Sequence, residues 1–398
     1  LSLVVPTGVK IIKIILLSMG FLFSIIDIIF TKKIKINRSI FMGYIFYMLI
    51  GLFYIFYGVI RNNPGALKVI TVYFIWIFIY AILFSSISKI EYIKVIDRIF
   101  VLSSIIIPLY GYWYLLYTLN IISYFYFLDM YNSIGVYTGS IEISIGSVSS
   151  LLFILPYITL KVFLKKDNRL LASILILNMS FLFLTGRKAL WLSYFISVFL
   201  FYIIYFFFIK TKNKIILKRI KRRSMLIINI LFLSLIILIL VLKIDLNKIY
   251  NDFLQGFEFN NIKNKSAYAR KLQFNSLINE WKKKPLVGYG HGASAPVIRS
   301  KEQPWAYELS YVALLFQTGI IGFLIYIFSI FWIIYKLIKI INLNEKNLNL
   351  ISPVLMGFIS FIIGNATNPY LLKFDYLWII FFPIALINLY SKEKANER

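Results

Sequence analysis

Long apolar runs set the first limit on what this chain can become. Stretches of roughly 17–25 mostly apolar residues recur from end to end, and an α-helix of that length crosses a hydrocarbon core. In lipid, every backbone polar group must be bonded within the chain, which leaves helices or closed barrels. The runs are continuous rather than alternating, which disfavours a barrel. Hydropathy places spans at roughly 9–30, 40–60, 67–88, 99–119, 143–163, 169–185, 188–209, 225–243, 308–336, 350–365 and 375–390. The expected fold class is an all-α polytopic membrane protein with about 11 transmembrane helices, 12 in a full-length chain, and one large extracytoplasmic loop. The chain then divides into helices 1–8 over residues 1–243, the loop with an amphipathic helix over 244–307, and helices 9–11 with a cytoplasmic tail over 308–398.

Of 398 residues, 60% are hydrophobic, and mean hydropathy is +0.82. A soluble protein of this length would carry far more polar surface. The net charge of +27 would suggest nucleic acid in a soluble protein. Here the cations gather in short connections such as 31–38, 161–169 and 210–223, while 120–142 has none. That is the positive-inside pattern, with anionic lipid headgroups as partners and no nucleic acid. The cation-rich connections go to the cytoplasm, which puts 244–307 outside. An odd number of spans also puts the N-terminus outside, and Leu1 to Gly8 reads as the tail of an earlier span. With no cysteine and one histidine, His291, disulfides, thiolate chemistry and a zinc centre are out of reach. No metal and no cofactor is indicated.

Polar chemistry concentrates in a few places. Thr185-Gly186-Arg187-Lys188 joins two spans with almost no loop, a costly place for two cations unless they meet water, a headgroup or a partner. Lys188 suits snorkelling to lipid phosphate; the planar guanidinium of Arg187 suits bidentate phosphate binding. Residues 266–281, with Arg270 near their start, show a helical pattern whose Leu272, Phe274, Leu277, Ile278 and Trp281 form an apolar face. Pro285-Leu-Val-Gly-Tyr-Gly-His-Gly292 then ends that helix. Its glycines, Gly288 and Gly290 around Tyr289, read as a turn that lets a ligand or another backbone come close. It lacks the spacing and strand–helix context of a dinucleotide site. His291 is a proton-acceptor candidate, or a packing histidine. Glu308 opens the ninth span, shares a helical face with Tyr311, and either acts chemically or simply complements the helix dipole. The Gly364–Tyr370 turn carries Asn368 and Tyr370. Asp27 has Lys32 or Lys33 as a nearby partner.

In their order and spacing these motifs resemble the O-antigen polymerase and O-antigen ligase superfamily. The resemblance rests on T-G-R-K-A-L at 185–190, an arginine in the large loop, W-x-x-x-P-L-V-G-Y-G at 281–290, and L-x-x-x-G-I-I-G at 315–322. It covers about residues 180–335 in motif detail and the whole chain in hydropathy. Arg187 matches the family's arginine at the outer end of a helix pair, and Arg270 the arginine of its large loop. Where ligases have histidine–asparagine, counting back from Gly319 gives Glu308-Leu309, and this departure favours the polymerase branch.

The resemblance implies a metal-independent glycosyltransferase in the bacterial inner membrane, working outside the cytoplasm on O-antigen, capsule or related polysaccharide. Its substrate would be an oligosaccharide repeat on undecaprenyl pyrophosphate, with the growing glycan passed to a sugar hydroxyl of the next lipid-linked unit. A chain-length regulator and a flippase of the same pathway are the partners implied. Arg187 and Arg270 would stabilise the leaving pyrophosphate, and Glu308 would accept the hydroxyl proton with His291 as second candidate. Lys188, Gly288, Tyr289, Gly290, Tyr311, Asn368 and Tyr370 would line the substrate site, and the loop would bring Arg270 and Glu308 beside Arg187. Tyr289, Trp305, Tyr307 and Tyr370 could stack on sugars or anchor at the interface. Ligation of glycan to lipid A core or another acceptor stays open, as does a lipid-linked oligosaccharide flippase.

Overall fold

The structure, a computed structural model, describes residues 2–6, 9–31, 36–87, 89–123, 133–137, 140–165, 169–209, 222–223 and 265–396. The expected span at 225–243, the first part of the expected loop, and Lys32 and Lys33 lie outside the described residues.

Among the described residues the chain is helical apart from one antiparallel ladder. The helices are α1 (Lys10–Thr31), α2 (Arg38–Ile60), α3 (Trp76–Ser85, preceded by a π-turn over Thr71–Ile75), α4 (Ile90–Thr118), α5 (Leu151–Leu164, preceded by a 3-10 turn over Gly146–Ser150), α6 (Arg169–Leu184), α7 (Lys188–Phe207), α8 (Lys265–Lys283), α9 (Ser310–Ile341), α10 (Glu345–Gly364) and α11 (Phe374–Asn396). Eight helical stretches are long and apolar enough to cross a membrane: α1, α2, α4, α5 with its lead-in, α7, α9, α10 and α11 to Ser391. Thr71–Ser85 and α6 are apolar but shorter. The chain is a multi-pass membrane protein. The ladder pairs β1 (Ser133–Tyr137) with β2 (Ser140–Ser144), Ser133 opposite Ser144. This hairpin, which begins in the charge-poor connection at 120–142 and ends at Ser144, is an addition to the all-helical expectation.

Two compact units form. One comprises Leu1–Leu17, Lys89–Asn251 and Leu337–Ile363; the other comprises Ser18–Ser88, Asp252–Lys336 and Gly364–Arg398. In the first, α5 is buried along its whole length and packs against α4, α6 and α7. Apolar packing alone leaves polar groups to be paired in such a core. Asn178 Nδ2 donates to the Ser104 carbonyl at 2.7 Å. Asp97 is held by Lys161 and by the Tyr157 hydroxyl. The chain leaves α6 through Gly186 at φ +59 and enters α7 after Arg187, whose backbone is extended.

In the second unit α2, α3 and α11 pack together. Asn37 caps α2, its side chain accepting from the Ser39 N–H at 2.9 Å. Its own N–H donates to Asn388 Oδ1 on α11 at 2.7 Å. Tyr80 stacks on Phe381 at 5.5 Å and donates its hydroxyl to the Phe374 carbonyl at 2.8 Å. These bonds let tyrosine and asparagine sit in an apolar bundle without orphaned polar atoms.

Candidate functional site

The site lies in the second unit, where α8, the irregular segment 284–309 and the start of α9 meet. Helix α8 forms as its pattern predicts, but its buried face is narrower than expected. Leu277 is fully enclosed, with Ala293, Ala295, Tyr307, Ala313 and Phe316 around it and Trp281 and Tyr289 packed alongside. Leu272 and Phe274, expected on the apolar face, are exposed, and Gln273 is buried instead. Pro285 follows as a helix stop, its carbonyl accepting from Trp281 Nε1 at 3.2 Å.

Residues 285–290 fill a break in α9. At Gly319 the backbone takes φ 62 and ψ −173 inside the helix, a region essentially reserved for glycine. In an unbroken helix, Ile320 and Ile321 would donate to Phe316 and Gln317. Here they donate to the carbonyls of Pro285, at 2.8 Å, and Leu286, at 3.1 Å. The released carbonyls are taken in turn. Tyr289 N–H lies 3.2 Å from Phe316 O and 3.1 Å from Gln317 O, and Gly290 N–H donates to Gln317 O at 2.7 Å. The exchange satisfies groups that a membrane interior cannot leave open. It also gives the glycines a purpose other than ligand binding. A Cβ on Gly288 would lie 2.5 Å from Gly319 N, and one on Gly290 would lie 2.6 Å from Gly58 N. Of the two alternatives for Gly288 and Gly290, a ligand or another backbone close by, backbone occupies the Cβ direction of both.

His291 is fully buried under this seam. Its ring stacks on Tyr73 with centroids 3.8 Å apart. Gln317 Nε2 lies 3.3 and 3.4 Å from the Ala293 and Trp305 carbonyls, so Gln317 Oε1 turns to the imidazole and accepts from Nδ1 at 3.3 Å. Nε2 then accepts from the Tyr326 hydroxyl at 3.1 Å. Burial pulls the imidazole down to about 3, against a smaller opposing effect of the Gln317 bond. A neutral, enclosed ring with both nitrogens occupied is what the packing alternative for His291 expects. Tyr289 is also occupied: its hydroxyl donates to Glu280 Oε2 at 3.0 Å, and Lys284 Nζ sits 4.5 Å from its ring centre.

At the other end of α8 a charged cluster forms around Glu308. The residue lies two positions before α9 rather than in its first turn, and is 8% exposed. Its Oε2 accepts from Arg270 Nε at 2.6 Å, and its Oε1 is bound by Arg299 Nη1. The Arg270 and Arg299 side chains are 33% and 51% exposed against 11% for Glu308, so the carboxylate is at the back and the guanidinium groups open outward. Burial pulls both guanidinium groups down from their ordinary value, and the neighbouring Arg270 adds a second lowering cause for Arg299; both remain cations at any working pH. Asn365 fixes the remaining wall. Its Oδ1 accepts from the Leu371 N–H at 3.0 Å, its Nδ2 donates to Ser310 Oγ at 3.1 Å, and its carbonyl accepts from the Ser310 hydroxyl. The Tyr370–Leu372 turn is thereby tied to the start of α9, with Tyr370 within electrostatic reach of Arg270. Tyr311 hydrogen-bonds Asn365.

Of the residues singled out from the sequence, Glu308, Arg270, Tyr311 and Tyr370 come together here. Asn368 sits in the adjoining turn with Nδ2 3.5 Å from Thr367 Oγ1. Arg187 and Lys188 belong to the other compact unit. Sequence reasoning missed Arg299 and the tying role of Asn365. Arg299 stands among Ser300, Lys301 and Glu302 in an irregular stretch, where no periodicity marks a side chain as inward. Among the described residues no three of His, Asp and Glu gather as a metal cluster would require. No protein-family model, no curated protein and no solved structure matches this chain.

Proposed function

We propose that the chain is a bacterial surface-polysaccharide polymerase. It transfers a growing glycan from a polyprenyl pyrophosphate to a sugar hydroxyl of the next lipid-linked repeat, at the extracytoplasmic face of the inner membrane. The observation that carries this reading is the outward-facing pair Arg270 and Arg299 on the carboxylate of Glu308, at the end of a membrane-spanning helix. The reaction needs cations where the pyrophosphate leaves and a base where the hydroxyl attacks. A guanidinium pair supplies the first in a geometry suited to phosphate oxygens, and Glu308 supplies the second. Tyr370 offers a ring and hydroxyl to a sugar. Arg187 enters as a further phosphate ligand on the motif resemblance alone.

A transporter reading would claim the broken helix α9, since such helices bind ions and substrates at exposed backbone ends. Here the backbone groups of Phe316, Gln317, Ile320 and Ile321 are bonded to residues 285–290, which favours a chemical site over a transport site. A ligase reading shares the arginines and differs in the acceptor.

The test is made in the producing bacterium by complementing a gene deletion and resolving surface polysaccharide on a gel. Deletion should leave single capped repeats. Long chains stranded on the carrier would point to a ligase, and absence of exported glycan to a flippase. Arg270→Ala and Glu308→Gln should insert normally and lose chain extension by about a hundredfold or more. Near-normal chain length in both would overturn the assignment.

A further inference from the structure

The two oxygens of Glu308 are both engaged by guanidinium groups that arrive from different segments, α8 for Arg270 and the stretch before α9 for Arg299. Each oxygen keeps one lone pair, but two adjacent cations make the carboxylate a poorer proton acceptor for an attacking hydroxyl. The arginines, in turn, already hold an anion. Two cations against one carboxylate leave one positive charge uncompensated in the cluster. A diphosphate ester, with about two negative charges, matches the pair better than the carboxylate does, and its oxygens suit the same forked donors. The arginines face outward and the carboxylate lies behind them, so an anion arriving from solvent meets the guanidinium groups first.

We propose that Glu308 is the resident anion of an Arg270–Arg299 clamp, and that a lipid diphosphate displaces it from both arginines. Arg299 is thereby a second diphosphate ligand. Displacement frees the carboxylate at the moment a donor is in place, so the base is exposed only when there is a leaving group to expel. Without a donor it stays masked, which protects the site from idle proton transfer to water. This rests on the polymerase reading for the identity of the ligand. The exchange itself is a binding event with no bond made or broken.

The experiment measures binding rather than turnover. Full-length protein is placed in nanodiscs of zwitterionic lipid and titrated with geranylgeranyl diphosphate, geranylgeranyl monophosphate and inorganic diphosphate. Glu308→Gln should bind the diphosphates about tenfold more tightly than wild type, because the competing carboxylate is gone. Arg299→Gln should bind them about tenfold more weakly. Equal or weaker binding by Glu308→Gln, no effect of Arg299→Gln, or no diphosphate binding by wild type would each overturn the proposal. Adding phosphatidylglycerol to the nanodisc separates the two sources of lipid phosphate: competition at equal strength would assign the clamp to headgroups and refute the diphosphate exchange. Should the variants fail to run as single species on size exclusion, wild type still answers. Saturating diphosphate should protect Arg270 and Arg299 from phenylglyoxal and leave Arg61, exposed just past the end of α2, reactive; an unprotected Arg299 would sink the idea. The polymerase reading fails separately. Tighter diphosphate binding by Glu308→Gln, with normal chain length in cells, would keep the exchange and discard the reaction.

Discussion

Replacing Gly319 by alanine tests whether the seam between α9 and residues 285–290 holds this part of the fold together. An alanine at φ 62 and ψ −173 sits where only glycine rests without strain, a cost of about 1–3 kcal/mol. Its Cβ would fall 2.3 Å from both the carbonyl carbon and the oxygen of Leu286. Backbone has no rotamer to turn aside, so the segment must back away, at about 1–3 kcal/mol for overpacking. Backing away stretches the bonds from Ile320 to Pro285 and from Ile321 to Leu286, worth about 1 kcal/mol each. The sum is about 4 kcal/mol or more. Gly43 in α2 is the control, because a Cβ there meets nothing within 4 Å; alanine in that helix should be neutral or stabilise by up to about 1 kcal/mol. Both variants and wild type would be heated in detergent and the surviving folded fraction read by size exclusion. Gly319→Ala should melt many degrees lower and Gly43→Ala at or above wild type. A Gly319→Ala protein melting with wild type would refute the argument that the kink is filled by backbone.

His291 makes stability depend on pH. Its folded value is about 3 against an ordinary 6.5, so between those values the unfolded chain binds a proton that the folded one does not. The contribution is complete above about pH 6.5 and is lost as pH falls, by about 2 kcal/mol at pH 5. Melting of wild type should therefore fall more steeply from pH 7.5 to 5 than that of His291→Gln, and parallel slopes would show that the ring is not sealed. In the first unit, Asp97→Asn strips Lys161, 5% exposed, of its charge partner and should cost about 3 kcal/mol. Adding Lys161→Met should recover much of that loss, and thermal melts of the single and double variants would show it.

The glycine motif illustrates how far local pattern reaches. Pro285 and the alternating glycines announce a sharp turn because the reasons are local: a missing N–H, a missing Cβ. What the turn packs against is a matter of distant chain. Gly288 faces the backbone of Phe316, Gln317 and Gly319, Gly290 that of Tyr57 and Gly58, and Gly319 that of Leu286 and Val287, and no side-chain pattern encodes backbone-to-backbone approach. The same holds for His291. Its type suggests acid–base work; its surroundings come from Tyr73 before α3 and from Gln317 and Tyr326 of α9, both far from it in sequence.

By itself the sequence determined that this is a helical membrane protein and where eight of the eleven expected spans lie, because the length and continuity of apolar runs answer directly to the thickness and solvent quality of a bilayer. It also marked Arg270 and Glu308 as worth attention, through the order and spacing of the motifs around them. Only the tertiary structure decided that these two residues touch, that Arg299 completes their cluster, that backbone packs against Gly288 and Gly290, and that His291 is enclosed. Which charges meet, and which glycines face backbone, depends on contacts between segments far apart in the chain; hydropathy constrains each segment's relation to lipid and leaves its partners open.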